Sequence, residues 1–318
     1  MNRFVPDFRP LAPRILRASL FLLLGALPAL RAAEGNEEIT AVSARAAKDY
    51  VRVKLPNGTY QPETYAFGEG GHWGGATADD TADKLKFLDV ARVISVPLAH
   101  ENYLPSKDPN KTRLLIMVYW GVTTGTTGTG DSVAYQQLQN AGAGYQSAMA
   151  ATKDALGNTS PIANTYAAIE AHNQLNEALA AASLVNQQRD QRDFQNAQML
   201  GYGSEGLIGT EFGQSLEGTP LAHQRDELIS EIEANRYFVV LMAYDFQALW
   251  KQKKHKELWE TRFSIRQLRH DFGDELPSIA MFASQYFGQD TKGLVRKPVP
   301  IGHVNIGEAT TIDYLPAR

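Results

Sequence analysis

Two apolar runs constrain the fold of this 318-residue chain more than any other feature of it. Residues 113–120 read RLLIMVYW, rich in β-formers, too short for a core helix, and bounded by a polar loop and Gly121. Such a run predicts a strand buried on both faces. Residues 237–249, YFVVLMAYDFQAL, predict a second buried strand. After the basic turn KQKKHK, residues 251–256, comes a third pattern. Trp259, Thr261, Phe263 and Ile265 alternate with Leu258, Glu260, Arg262, Ser264 and Arg266, which predicts one buried and one wet face. Two strands joined by a short polar turn predict an antiparallel hairpin.

The flanking segments supply the other elements. Residues 59–67 (TYQPETYAF) predict a short strand, at an edge because of Pro62, running into the Gly-rich string GEGGHWGG at 68–75. Leu85, Leu88, Ala91, Ile94 and Leu98 recur at helical spacing, with Pro97 placed to kink or end that helix. Residues 221–235 predict an amphipathic helix, and residues 274–287 a last one with an acidic start and Gly288 as its stop.

Between the first and second apolar runs the composition changes. After the low-complexity TTGTTGTG, residues 123–130, thirty-three of the 69 residues from 132 to 200 are Ala, Gln or Asn and only eight are charged. GNTSP at 157–161 divides this stretch into arms of residues 132–156 and 162–200, a helical hairpin. Ile162, Tyr166, Ile169, Leu179, Ala182 and Val185 form a thin apolar stripe, too little to stand without a partner surface.

Together these elements predict an α+β fold. It is a two-layer sandwich of about four mainly antiparallel strands with helices on one face, interrupted by a long helical-hairpin insertion. The corresponding division is a leader (1–33), a first part of the domain (34–121), loop, insertion and Gly-rich connector (122–219), a second part (220–288) and an extended tail (289–318).

The leader bears on compartment. Arg3, Arg9, Arg14 and Arg17 precede a 13-residue apolar core at 18–30 with Ala32 and Ala33 behind it, the pattern of a cleaved export signal. That core is shorter than the roughly 20 residues of a spanning helix, although Arg31 near the cut leaves an uncleaved anchor as the alternative. Periplasm or secreted space follows. Residues 1–33 hold five Arg and one Asp, so the remainder has 26 basic and 34 acidic side chains, a formal charge of −8. This argues against nucleic acid as a partner. With no cysteine there is no disulfide, thiolate metal site, Cys nucleophile or lipid-modified cysteine.

Chemical motifs are sparse. His72 and Trp73, set among glycines, could contact a sugar or cell-wall ligand, with Asp245, Glu260 and Arg262 on the adjacent strands as further ligand contacts or a paired-carboxylate site. Lys251, Lys253, Lys254 and Lys256 could touch an anionic envelope surface. The glycines at 125–130 lack the lysine of a phosphate loop, the seven histidines form no metal-ligand spacing, and no nucleophile elbow occurs. Neither a metal nor a cofactor is implied, and no catalytic residue is assigned.

The helix ending at Asn102 and Tyr103, the strand 114–120 and the pair VVLMAYD and LWETRFSIR together resemble uncharacterised exported bacterial envelope proteins with a domain of unknown function. The resemblance spans residues 60–121 and 220–288. It implies a compact envelope domain and transfers no catalytic residues, and the absence of Cys departs from the lipoproteins common among such domains. The expected function is non-enzymatic, a protein or surface contact made through the insertion with a partner or a second copy. The alternatives are a periplasmic hydrolase of cell-wall or sugar substrates and a small-ligand binding protein.

Overall fold

In the computed structural model of the chain, which describes residues 37–75, 78–125, 133–152, 162–202, 220–267 and 271–300, the run at 113–120 is a strand. The run at 237–249 is a strand only as far as Asp245, where that side chain caps a short helix that takes residues 246–249. The strands are β1 (Glu37–Ala46), β2 (Glu63–Trp73), β3 (Tyr103–Pro105), β4 (Leu114–Val122), β5 (Arg236–Asp245), β6 (Glu257–Arg266) and β7 (Leu294–Pro300). They form one seven-stranded sheet in the order β3-β2-β4-β5-β6-β1-β7. The two apolar runs, β4 and β5, pair antiparallel near its centre, where both faces of a strand are covered.

The expected sandwich of about four mainly antiparallel strands is therefore corrected to a seven-stranded mixed sheet. Strand β2 pairs parallel with both β3 and β4, whereas the other neighbours are antiparallel. Three strands escaped the pattern for physical reasons. The inward residues of β1 are small, so Ala41, Val42 and Ala44 carry little apolar signal although all are buried. Strand β3 has three residues, and β7 carries Pro298 and Pro300 on the sheet edge, where prolines are tolerated.

Placement of helices on one face is also corrected. On one side lie α1 (Asp80–Asp83), α2 (Phe87–His100) and α7 (Phe272–Ser284). Val90, Ile94 and Leu98 of α2 and Leu276, Ile279 and Ala283 of α7 pack over Val118, Val239, Trp259 and Phe263. Each large side chain buried there stabilises the fold by about 1.5–3 kcal/mol. Pro97 does not end α2, which runs on to His100 and stops where Asn102 turns to φ 61°. The opposite side is covered by the last turns of α4 (Ile162–Leu200) and by α5 (Pro220–Glu233), where Ala197, Leu200, Leu228 and Ile232 bury Ala41, Phe238 and Val240.

The insertion is an antiparallel pair. Helix α3 (Val133–Ala151) lies along α4, with Tyr145 ring-to-ring against His172 at 5.5 Å and Tyr135 hydrogen-bonded to Asn186. Leu138, Ala141, Tyr145 and Ala148 face Leu175, Ala178 and Ala182, at the three-four spacing of a coiled-coil seam. Tyr166, Ile169 and Leu179 do not share that seam with Ala182 and lie exposed. A seventh helix, α6 (Phe246–Gln252), connects β5 to β6.

The leader 1–33, residues 126–130 of the Gly/Thr loop, the 157–161 turn, most of the Gly-rich connector and the tail beyond 300 lie outside the described residues. Among the described residues no helix is long and apolar enough to cross a membrane.

Candidate functional site

The parallel strands β2 and β4 finish together, at Trp73 and Val122, and this end of the sheet is termed the upper end. GEGGHW is the second half of β2, not a loop. Its glycines suit a strand because the side chains of Met117 and Tyr119 lie over them. A Cβ on Gly70 would stand 2.6 Å from the Tyr119 ring.

His72 and Trp73 end β2. His72 Nε2 lies 3.4 Å from Asp83 Oδ1, and its ring centroid is 5.7 Å from that of Trp120. Trp73 is 54% exposed. Asp83 also accepts from the Asp79 backbone N–H at 3.0 Å. Asp79, the N-cap of α1, accepts from Thr81 N at 2.8 Å, Tyr237 Oη at 2.7 Å and Gln267 Nε2 at 2.5 Å. Burial opposes its ionisation, but the hydrogen bonds from Thr81, Tyr237 and Gln267 outweigh that and hold the carboxyl below the usual Asp value. Burial pushes the Tyr237 phenol well above its ordinary value. The sequence reading singled out His72 and Trp73 but not Asp79, Asp83 or Tyr237. The one local signal was an acidic N-cap, TADDTADK, which marks a helix start without revealing its distant partners.

The sheet carboxylates do not join this cluster. Asp245 pairs with Leu114 and His72 with Trp120, six residues further along β4, which is roughly 20 Å. Glu260 lies across three strands and three residues lower, roughly 17 Å away. Both have local structural partners. Asp245 N-caps α6, accepting from Ala248 N at 2.9 Å. Glu260 Oε1 is held by Arg45 and Oε2 by Arg262 at 2.9 Å.

The expected wet face of β6 is covered, leaving Glu260 only 3% exposed. Burial raises the Glu260 carboxyl, but Arg262 and Arg45 outweigh it and hold the group below the ordinary Glu value. Both oxygens of Glu260 are thus ion-paired within the domain. What covers this face is the root of the insertion. Arg262 Nη1 donates to the Gln198 and Met199 carbonyls, and Asn196 Nδ2 donates to Thr124 O at 2.8 Å and Ile232 O at 3.0 Å. Arg189 is paired with Glu233.

Because these anchors climb from mid-sheet to the upper end, residues 162–188 of α4 stand beyond the sheet. At 1.5 Å per residue they make an arm about 40 Å long. No residue of α3 is buried, and α3 carries no charged side chain. Tyr166 is 69% and Ile169 53% exposed, and Val133, Leu179, Leu184 and Phe194 are also exposed. A groove of about 590 Å³ runs between the helices, floored by Ala141, Gly144, Ala178 and Ala181 and rimmed by Gln137, Asn140, Gln174 and Glu177.

The basic turn lies at the lower end. Lys251 lies in the last turn of α6, Lys253 takes the left-handed conformation that caps it, and Lys254 is exposed beside it. Lys256 Nζ is 2.6 Å from Asp49 Oδ2. No protein-family model matches the chain and no curated protein matches it, so what the chain does must follow from its own geometry.

Proposed function

We propose that this chain is an exported envelope protein that acts by non-enzymatic protein contact, its sheet domain presenting the α3–α4 arm to a partner protein or a second copy. The observation that carries this reading is the arm itself, an exposed helix pair with an uncharged α3 and large apolar side chains in solvent. Arms held out for solubility carry charge, and at Tyr166 and Ile169 this one offers apolar contact instead. The anchoring of its last turns to the sheet by Asn196, Gln198 and Arg262 supports a rigid presentation.

The cysteine-free sequence supplies a clean test. Ile169→Cys or Leu184→Cys introduces the sole thiol of the protein, to which a photo-cross-linker is attached, with Arg92→Cys on α2 as control. The expected result is a discrete adduct from the arm positions and none from Arg92→Cys, and loss of cellular activity when residues 131–188 are replaced by a short Gly/Ser linker. Equal labelling at the arm and control positions, or full cellular activity of the linker variant, would overturn the reading.

A further inference from the structure

We propose that the lower end of the sheet docks on an anionic phospholipid surface, with the arm pointing away from it. Three loops separate in sequence meet there. The last turn of α6 and the turn after it bring Lys251, Lys253 and Lys254, all exposed. The loop before β4 brings Lys107, Lys111 and Arg113, and is tied to α6 by Gln247 Nε2, which donates to Pro109 O and Thr112 O at 2.7 Å, and by Phe246 N donating to Arg113 O at 2.9 Å. The loop after β1 brings Lys48 and is joined to the same turn by the Lys256–Asp49 pair. In a chain of net charge −4, this end concentrates cations, and an anionic surface is its electrostatic complement.

Apolar side chains exposed at the same end of the sheet favour a bilayer over a soluble polyanion. Trp250, 42% exposed, sits beside Lys251, whose Nζ is 5.8 Å from its ring centroid. Beyond Asp49 the chain is extended, and Arg52 turns inward over the Tyr60 and Tyr103 rings at 4.0 and 4.1 Å. Its neighbours Val51 and Val53 are thereby turned outward, Val51 to 76% exposure. An indole beside a lysine, with two valines exposed at the same end, matches the headgroup boundary, where aromatic rings settle and lysines meet lipid phosphates. The arm is rooted at the upper end, so a domain seated on its lower end holds the arm clear of the lipid. This surface is separate from the arm and does not depend on the arm's partner.

The test is co-sedimentation of the full chain with vesicles of equimolar phosphatidylcholine and phosphatidylglycerol, against vesicles of phosphatidylcholine alone. Two variants accompany it, the triple Lys251→Gln, Lys253→Gln, Lys254→Gln and the single Trp250→Ala. Lys256 is left in place because it is paired with Asp49. Residues 1–36 are common to all three proteins, so the leader cannot produce a difference between them. The expected results are salt-sensitive binding to the anionic vesicles, a loss of about tenfold or more in the triple variant, and a severalfold loss in Trp250→Ala with its salt dependence kept. Equal binding of the triple variant and the natural chain overturns the proposal. So does salt-sensitive binding that Trp250→Ala leaves unchanged, because a purely electrostatic patch does not require the indole. Circular dichroism of each variant confirms that a loss is not unfolding.

Discussion

Arg262 Nη1 donates to the carbonyl oxygen of Gln198 at 2.8 Å, joining the face of the sheet to the last turn of α4, the longest helix among the described residues. The bond does two things. It satisfies a helix-end carbonyl that has no donor within the helix, and it brings a cation to the negative end of the helix dipole. Because Arg262 also holds Glu260, one guanidinium contributes both to the anchoring of the arm and to the pairing of a buried carboxylate.

Arg262→Ala should therefore cost about 2–3 kcal/mol, less than the full loss of a buried pair because Arg45 still holds Glu260. The loss is read from urea unfolding. Limited proteolysis should show new cleavage at residues 189–202 before the sheet is cut. A variant as stable and as protease-resistant as the natural chain would show that the arm is rooted without Arg262, by apolar packing and the contacts of Asn196 and Arg189.

At Ala178 and Ala182 the arm's seam has room only for small side chains. Ala178 and Ala182 are buried against α3, so Ala182→Leu must push the two helices apart at a cost of about 1–3 kcal/mol. Since this seam stands beyond the sheet, hydrogen exchange should quicken along α3 and residues 162–188 while β4 and β5 stay protected.

At Gly121 a side chain has nowhere to go. Its φ is 152°, and a Cβ there would collide with the carbonyl group of Trp73 on the neighbouring strand. Gly121→Ala should destabilise by about 2–4 kcal/mol, the upper range for a single substitution. Gly58 has φ 85° with open space around it, so Gly58→Ala should cost only the left-handed backbone term of about 1–2 kcal/mol. Comparison of the two melting temperatures separates collision from backbone preference.

The Asp79 cluster gives a pH signature. A carboxyl held below its unfolded value contributes stability that is fully present above about pH 4 and is lost as pH falls through the lower folded value. Asp79→Asn should lower stability at pH 7 by about 1 kcal/mol, a modest figure because the site is partly solvated, and should lessen the acid loss. Buried Tyr65 and Tyr103 work at the other limit, since burial raises both. Their contribution is complete below about pH 10 and is lost as pH rises further. Melting temperatures across the pH range, for the natural chain and Asp79→Asn, check both limbs.

Much of the sheet's centre was legible because β4, β5 and β6 carry long, periodic apolar signals. The helices α2, α5 and α7 were legible for the same reason, as were the two insertion arms. What was not legible falls into two kinds. Strand β1 has small inward residues and β3 is three residues long, so neither carries a local signal above that of a loop. The second kind is partnership. Glu260 and Arg262 alternate like solvent-facing charges, and their burial depends on α4 folding back onto them from more than sixty residues away.

The sequence by itself determined that two strands are buried, that a charge-poor pair of helices interrupts them, and that no thiol chemistry is possible, because each of these follows from composition or period within one segment. Tertiary structure alone decided that the sheet is mixed and covered on both faces, that His72 meets Asp83 and lies far from Asp245, and that cations from three loops gather at the end opposite the arm. Those are contacts between residues far apart in the chain. No local pattern encodes them, because the energy that selects them comes from apolar surface buried only when the segments come together.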